Sequence, residues 1–557
     1  LTDTGHRKIM MNRRTFLKSA ATAGALCLGN QLLPTPWHTA APQRALAADG
    51  APNLLVIIVD QMRSPQWFPD QAALDTYLPN IARLRQGAVN LGNHYTVAAA
   101  CTPARACMVT GLYTHQSWCM VTQSSVLNPG FPTWGTLLRN HGYQTNWFGK
   151  WHLSEETCPD LEVYGFNGQP CPDPHGSPGQ GDARDPNIAT QFATWMASPQ
   201  ANNGPWCTTV SFVNPHDIMW YPRFTEALND QANPPKVFTE LPANYETPAQ
   251  LLARQKPRTQ RALQQIAAQS FGAISFSGPN YEAAWLEMRD LYLLLQQHID
   301  EQIGRVLDAL EAKPAVAANT VILFTSDHGE YCGSHGLRGK GGSVYEESIH
   351  VPFYVKDLTG RFTATPEVTR TQLTASVDVA PLLLTLGTGG NSWRQQAQYA
   401  HLANRLDVAA ILSNSTAAGR PYILHTTDEP GNEEDPSTPF TDNPPNHIIG
   451  YRTPTAKLGL YSYWETGTTT ISATDQEREL YDYSTTSGQQ EIDNIAPAGG
   501  ALYDQLYTAL TTDAIPNELR QPLPDYLQAP QQAALNTYLA EFGGSRHLYL
   551  PTVLKSE

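Results

Sequence analysis

A chain of 557 residues carrying 36 Lys+Arg against 51 Asp+Glu has a formal charge of −15. That balance argues against nucleic acid or an anionic membrane as partner, since both need a basic face. It offers no global attraction to an anionic substrate either, so any such site must gather Arg, Lys or metal locally; the length is ample for one large core.

Close to its N-terminus the chain reads Asn12-Arg13-Arg14-Thr15-Phe16-Leu17-Lys18, followed by a short apolar stretch of small residues. This pattern resembles a twin-arginine export signal. Ala45-Leu46-Ala47 fits the cleavage rule, so a mature chain is expected to start near Ala48. The apolar stretch is too short to remain as a membrane anchor. Leu54–Val59 is a continuous β-branched run, which predicts a strand buried on both faces of a parallel sheet. It ends in Asp60-Gln61, and ligands in open α/β sheets collect at the carboxyl ends of strands. Leu78–Leu84 starts a helix, and Asn93-His94-Tyr95 leads on to Cys101-Thr102-Pro103-Ala104-Arg105. Thr102 as N-cap and Pro103 at the first helical position predict a helix that stops at Gly111. Cys101 then sits just before a helix N-terminus, where orphan N–H groups favour an anion.

Thr133–Leu138 opens another helix, closed at Gly142. Tyr143–His152 alternates apolar and polar residues, which predicts a strand carrying Lys150 and His152 on one face at its end. Residues 155–186 read as a long Gly/Pro/Asp-rich loop. Of the eight cysteines, Cys158 and Cys171 flank that loop and are the first choice for a disulfide in a compartment that permits one. There is no C-x-x-C spacing, so zinc on thiolates is not expected. Thr208–Val213 is a second buried strand, ending in Asn214-Pro215-His216-Asp217. Residues 222–280 are Pro-broken, then helical, and read as an insertion over the site. Trp285–Leu310 is a long packing helix whose His298 reads as structural. Val321–Ser326 is a third buried strand, ending in Asp327-His328-Gly329-Glu330, with Lys340 soon after. Val351–Val355 is a short strand that Pro352 keeps at an edge or a start. Val377–Pro381 begins a helix, and 428–447 is an acidic, Pro-rich loop between domains. Ile448–Arg452 and Lys457–Tyr461 read as hairpin strands, with Glu479–Asp482 and Asn494 beyond them.

The C-x-P-x-R spacing at Cys101–Arg105, the Gly149-Lys150-x-His152 strand end and the polar groups closing the other strands resemble the sulfatase family, from about residue 52 to 500. The 222–280 insertion and the chain beyond 500 match poorly. The resemblance implies an α/β fold: a large mixed, mostly parallel sheet sandwiched by helices, with a smaller C-terminal antiparallel-sheet subdomain. It divides the chain into a leader (1–47), a catalytic domain (48–427) and that subdomain (428–557). It also implies that Cys101 is oxidised to formylglycine by a formylglycine-generating enzyme during maturation, while the twin-arginine pattern implies export by the Tat translocase to the periplasm or medium. The hydrated aldehyde attacks the sulfur of a sulfate ester and regenerates itself by expelling sulfate.

Carried over residue by residue, Asp60, Gln61, Cys101, Asp327 and His328 hold a divalent metal. Calcium comes first, with magnesium or manganese open because Gln61 and His328 replace the Asp and Asn of many members. Arg105 holds the formylglycine oxygens, and Lys150 bridges nucleophile and sulfate. His152 is the base for the second step, His216 gives a proton to the leaving oxygen, and Lys340 binds a sulfate oxygen. Two rivals remain: a phosphonate monoester or phosphodiester hydrolase of the same superfamily, and a non-catalytic binding relative, which should have lost Cys101, Lys150 or His216. Trp151, Trp220 and Tyr221 could stack on substrate, with core positions slightly favoured.

Overall fold

The computed structural model describes residues 50–542 apart from 69, 123–124, 169, 225–233 and 430–443. The stretch expected to be an export leader and most of the acidic 428–447 stretch lie outside the described residues. Seven strands, β1 (Asn53–Asp60), β2 (Val89–Tyr95), β3 (Gln144–Gly149), β4 (Trp206–Pro215), β5 (Thr320–Ser326), β6 (Phe353–Asp357) and β7 (Arg370–Ala375), form one sheet in the order β3-β4-β1-β5-β6-β2-β7. Four more, β8 (Ile423–Thr427), β9 (His447–Arg452), β10 (Ala456–Ser462) and β11 (Glu477–Asp482), form an antiparallel sheet in the order β11-β10-β9-β8. The fold is therefore the expected mostly parallel α/β sheet with a small antiparallel companion.

β1 runs parallel to both β4 and β5, and only β6 runs against its neighbours. The unbroken apolar text of β1 follows from burial on both faces. Leu54, Val56 and Ile58 pack with Ala106 and Met108 of the Cys101–Thr110 helix, Trp134 and Leu137 of Trp134–Arg139, and Leu383 of Val379–Thr388. Leu55, Ile57 and Val59 face the other way, onto Ile81 and Leu84, Ile188 and Phe192, and Ile299 and Ile303 of the Tyr281–Glu311 helix. Each such side chain contributes about 1.5–3 kcal/mol of burial before entropy is counted.

Several expectations are corrected. Cys101 is the first residue of its helix, with extended Ala100 as the cap. Thr102 does not cap; its hydroxyl donates to His152 O at 2.9 Å and Thr122 O at 3.2 Å. β3 stops at Gly149, so Lys150 and His152 lie beyond the strand and strand alternation does not place them. β6 is interior to the sheet; Pro352 sits just before its start, where a missing N–H leaves no gap in the ladder. β2 and β7 had no counterpart among the predicted strands. The small sheet takes its edge strand β8 from residues ahead of 428, and its Leu424, Ile449 and Leu458 share a core with Tyr95, Cys107 and Leu373.

Charged groups are also buried between the insertion and the small sheet. Glu246 is fully buried. Burial opposes its charge, but His335 Nδ1 at 2.7 Å and Lys256 Nζ at 2.9 Å outweigh that and bring it down to about 2. Burial, the first cause in each case, pushes His94, His401 and His425 down to about 3, so they fold neutral. Both effects have one sign: the unfolded chain binds more protons as pH falls. Stability is expected to decline as pH drops below 6.5, where the unfolded histidines charge, and further below 4.5, where unfolded Glu246 is protonated. Urea midpoints measured across this range check it. Glu246→Gln should flatten the portion below 4.5, and a midpoint independent of pH between 6.5 and 3 contradicts it.

Candidate active site

Register brings the strand-end residues together. Asp60 lies opposite Pro215 and Val59 opposite Ser326, so Asp60, His216 and Asp327 leave three neighbouring strands side by side. Lys150 follows β3, its N–H on Ser211 O at 2.8 Å. The helix starting at Cys101 delivers its first side chain to the same spot.

Cys101 Sγ is 3.2 Å from His328 Nε2, 3.7 Å from Asp60 Oδ1 and 3.9 Å from Lys150 Nζ. The two carboxylates divide their oxygens. Asp60 Oδ2 accepts from Arg105 at 3.2 Å and lies 2.7 Å from Lys150 Nζ, while Asp327 Oδ2 accepts from Arg105 Nε at 2.9 Å. Both Oδ1 atoms turn towards His328 Nε2, at 3.4 and 3.7 Å. His328 Nδ1 lies 3.0 Å from Gly329 O, a contact that fixes the ring with Nε2 facing the cluster. One ligand atom each from Asp60, Cys101, Asp327 and His328 fits within 4.8 Å of the others, and all four residues are buried. Two carboxylate oxygens and an imidazole nitrogen, with the side chain at 101 in the fourth position, suit a divalent cation.

Gln61 adjoins this set. Its backbone N–H donates to Asp327 Oδ1 at 3.1 Å, its amide oxygen accepts from Lys340 Nζ at 2.7 Å, and its amide nitrogen donates to Glu330. Glu330 also accepts from Gly339 N at 2.7 Å, so one buried carboxylate orients both Gln61 and the loop bearing Lys340.

The electrostatics favour an acidic thiol and charged partners. Burial opposes the charge on Asp60, but the cations around it, Lys150 first, hold it well below the usual carboxylate range. Burial and Asp60 resist ionisation of Cys101, yet Lys150, Lys340 and His328 outweigh them and lower its pKa. His152 and His216 are both held well below 6.5, first by burial and then by nearby lysines: Lys150 for His152, and Lys340 and Lys150 for His216. Nδ1 of each ring has no partner among the described residues. All ten predicted site residues thus fall in or beside one cluster. Sequence reading missed Ser211, Glu330, Asp173 and His175; only Glu330, in the polar run after β5, carried a local signal.

Cys158 and Cys171 form the disulfide expected of them, and Cys107, Cys119, Cys207 and Cys332 are buried thiols. Trp151 and Tyr221 are core, and Trp220 packs edge-on against Phe224 and Phe271. His298 is structural, 2.9 Å from Asp182. A cleft of about 730 Å³ lined by Arg63, Trp67, Phe238, Glu347 and Arg452 contains none of the ten site residues. Its arginines are already committed: Arg63 to Tyr331 O and Glu347, Arg452 to Glu346.

The Sulfatase family model matches residues 52–389. The choline-sulfatase of Rhizobium meliloti is 26% identical over 376 residues, covering 60% of this chain and 68% of that protein. Across the curated relatives the chain spans between 56% and 68% of their length. Among solved structures, a putative sulfatase from Bacteroides thetaiotaomicron is similar at a TM-score of 0.63 and 20% identity, covering 84% of this chain and 92% of that one. A phosphonate monoester hydrolase from Silicibacter pomeroyi is similar at a TM-score of 0.60 and 21% identity, covering 84% and 96%. At such identities the structures show a shared fold alone.

Proposed function

Because the chain belongs to the sulfatase family, we propose that it hydrolyses an organic sulfate ester, with the side chain at 101, matured to formylglycine, as nucleophile beside a divalent ion. The observation that carries this reading is Cys101 Sγ at the head of a helix, within 3.9 Å of a histidine, an aspartate and a lysine. Asp60, Asp327, His328 and Gln61 would hold the ion, which supplies Lewis acidity and a lowered pKa to the attacking oxygen.

The remaining work falls to the chain's own groups. Arg105 neutralises one oxygen of each carboxylate and fixes their planes. Lys150 and Lys340, with the helix N-terminus, give the sulfate group a cationic seat inside a protein of net negative charge. His152 is neutral and so has a lone pair to take a proton in the second half of the turnover. His216 is kept neutral in the free protein by burial first and by Lys340 and Lys150 second, and an anionic ester beside the two lysines offsets their part. It can then be protonated and give that proton to the leaving oxygen. His216→Ala is expected to slow esters of poor alcohol leaving groups by about 10²–10⁴-fold and activated aryl sulfates far less. Equal losses on both substrate types reject the role.

The phosphonate monoester or phosphodiester reading remains the alternative, supported by Gln61 and His328 at positions where many sulfatases have Asp and Asn. Rates of the metal-loaded protein on an aryl sulfate, an aryl phosphodiester and a phosphonate monoester decide between them, and a preference for either phosphorus ester overturns the sulfatase reading. The leader-like sequence and the Cys158–Cys171 disulfide support export to an oxidising compartment. Among the described residues no helix is long and apolar enough to cross a membrane. A formylglycine-generating enzyme and the Tat translocase are the partners this reading requires.

A further inference from the structure

We propose that Asp173 is a positioning residue for His152, and that the loop closed by the Cys158–Cys171 disulfide holds Asp173 in place; this rests on reading His152 as the proton acceptor. Asp173 is 4% exposed. Its Oδ1 accepts from Trp151 N–H at 2.9 Å and its Oδ2 from His152 N–H at 2.8 Å. These amides follow directly on the end of β3 and have no ladder partner, so without Asp173 both would be buried donors left unmet. A carboxylate spanning consecutive N–H groups makes charge-assisted bonds, about twice as strong as neutral ones.

His152 needs such a hold. Its φ is +56°, a left-handed conformation that costs a non-glycine residue about 1–2 kcal/mol. The direction of its ring depends on that backbone turn, which is fixed at three points: the two N–H groups on Asp173, and His152 O accepting from Thr102 beside Cys101. The loop supplies the anchor. Asp173 N–H donates to Thr157 O at 2.7 Å, and the disulfide joins Cys158 to Cys171, so a hydrogen bond and a covalent bond close the same neck.

The loop then runs on past both histidines. The His175 ring lies 4.7 Å from the His152 ring, with Nε2 3.4 Å from Asp173 Oδ2. At Gly176 a Cβ would come within 2.4 Å of the His216 ring, and Trp220 Nε1 donates to Gly176 O at 2.8 Å. A stretch of six residues, Cys171–Gly176, therefore braces one histidine and closes over the other.

The test uses the full chain as Asp173→Asn, with Cys158→Ser/Cys171→Ser as a second variant. Asn keeps the size of the side chain but replaces one acceptor with an NH₂ facing an N–H. Hydrogen-exchange mass spectrometry over the Trp151–His152 peptide and steady-state kinetics on an aryl sulfate are read together. The expected result is faster exchange of those amides and a kcat lower by about 10²-fold, with KM little changed and the thermal midpoint lowered only as far as one unmet buried donor requires. The double cysteine variant should move the same way by less. Unchanged exchange overturns the brace, and open amides with full kcat overturn the positioning role. A parent protein inactive on every sulfate ester refutes the reading of the function instead, and the exchange measurement still judges the brace. If Asp173→Asn does not fold, the cysteine variant supplies both readouts.

Discussion

Replacing Cys101 with alanine is expected to abolish turnover of sulfate esters, by about 10⁴-fold or more, in a protein that stays folded. The substitution is mild for the fold. Alanine suits a helical position, and the lost atom amounts to about one buried methylene, near 1 kcal/mol. It also leaves every ion pair of the site intact, since Arg105, Lys150, Asp60 and Asp327 satisfy one another without Cys101. The loss therefore reports on the nucleophile and not on the scaffold. Two measurements make the result specific. Calorimetry should show that a sulfate ester still binds Cys101→Ala, because the lysines remain, and peptide mass spectrometry of the exported parent should show an aldehyde in place of the thiol at 101. Residual hydrolysis near the parent rate would remove Cys101 from the mechanism altogether.

The site was legible in the sequence to the extent that it hangs on buried parallel strands. β1 and β5 carry continuous apolar runs, and β4 a largely apolar and β-branched one, because both faces are covered, and each announces the polar residues that follow it: Asp60-Gln61, His216 and Asp327-His328. β2 and β7 lie at the far side of the sheet and are only partly buried, so their sequences, Val89–Tyr95 and Arg370–Ala375, mix polar residues into the pattern and give no such run. The end of β3 misleads for a different reason. Gly149 has φ +92°, and a Cβ there would lie 2.0 Å from Ser211 O, so the chain turns out of the sheet at that point. Lys150 and His152 reach the cluster through that turn. The helix start moved because the Thr102 hydroxyl is used on His152 O, while Pro103 at the third helical position still falls where an N–H would lack an intrahelical partner. Asp173 and Glu330 act through contacts that no local period encodes. A carboxylate in a Pro-rich loop, or one residue past a glycine, looks the same whether it faces solvent or anchors a catalytic turn.

Arg105→Met should be the most damaging substitution for stability within the site, costing about 3–5 kcal/mol. Arg105 is 1% exposed and donates to Asp60, Asp327, Ser211 and Lys150 O, every bond between 2.9 and 3.2 Å. Methionine keeps much of the stem's volume, so the loss is electrostatic and not a cavity effect. Asp60 would retain Lys150 at 2.7 Å, but Asp327 Oδ2 would lose its ion-pair partner, leaving a buried carboxylate oxygen uncompensated. The same reasoning predicts a partial rescue. A divalent ion taken up by the two aspartates replaces some of the missing positive charge, and at a hundred times its Kd a ligand specific to the folded state adds about 2.7 kcal/mol. Urea unfolding of Arg105→Met with and without excess calcium or magnesium measures both effects. A loss under about 1 kcal/mol, the size of an exposed ion pair, would mean that Arg105 is not an essential buried partner of Asp327. A full loss with no recovery in either ion would count against a metal between Asp60 and Asp327, and the proposed hydrolysis would have to be rebuilt on the lysines alone.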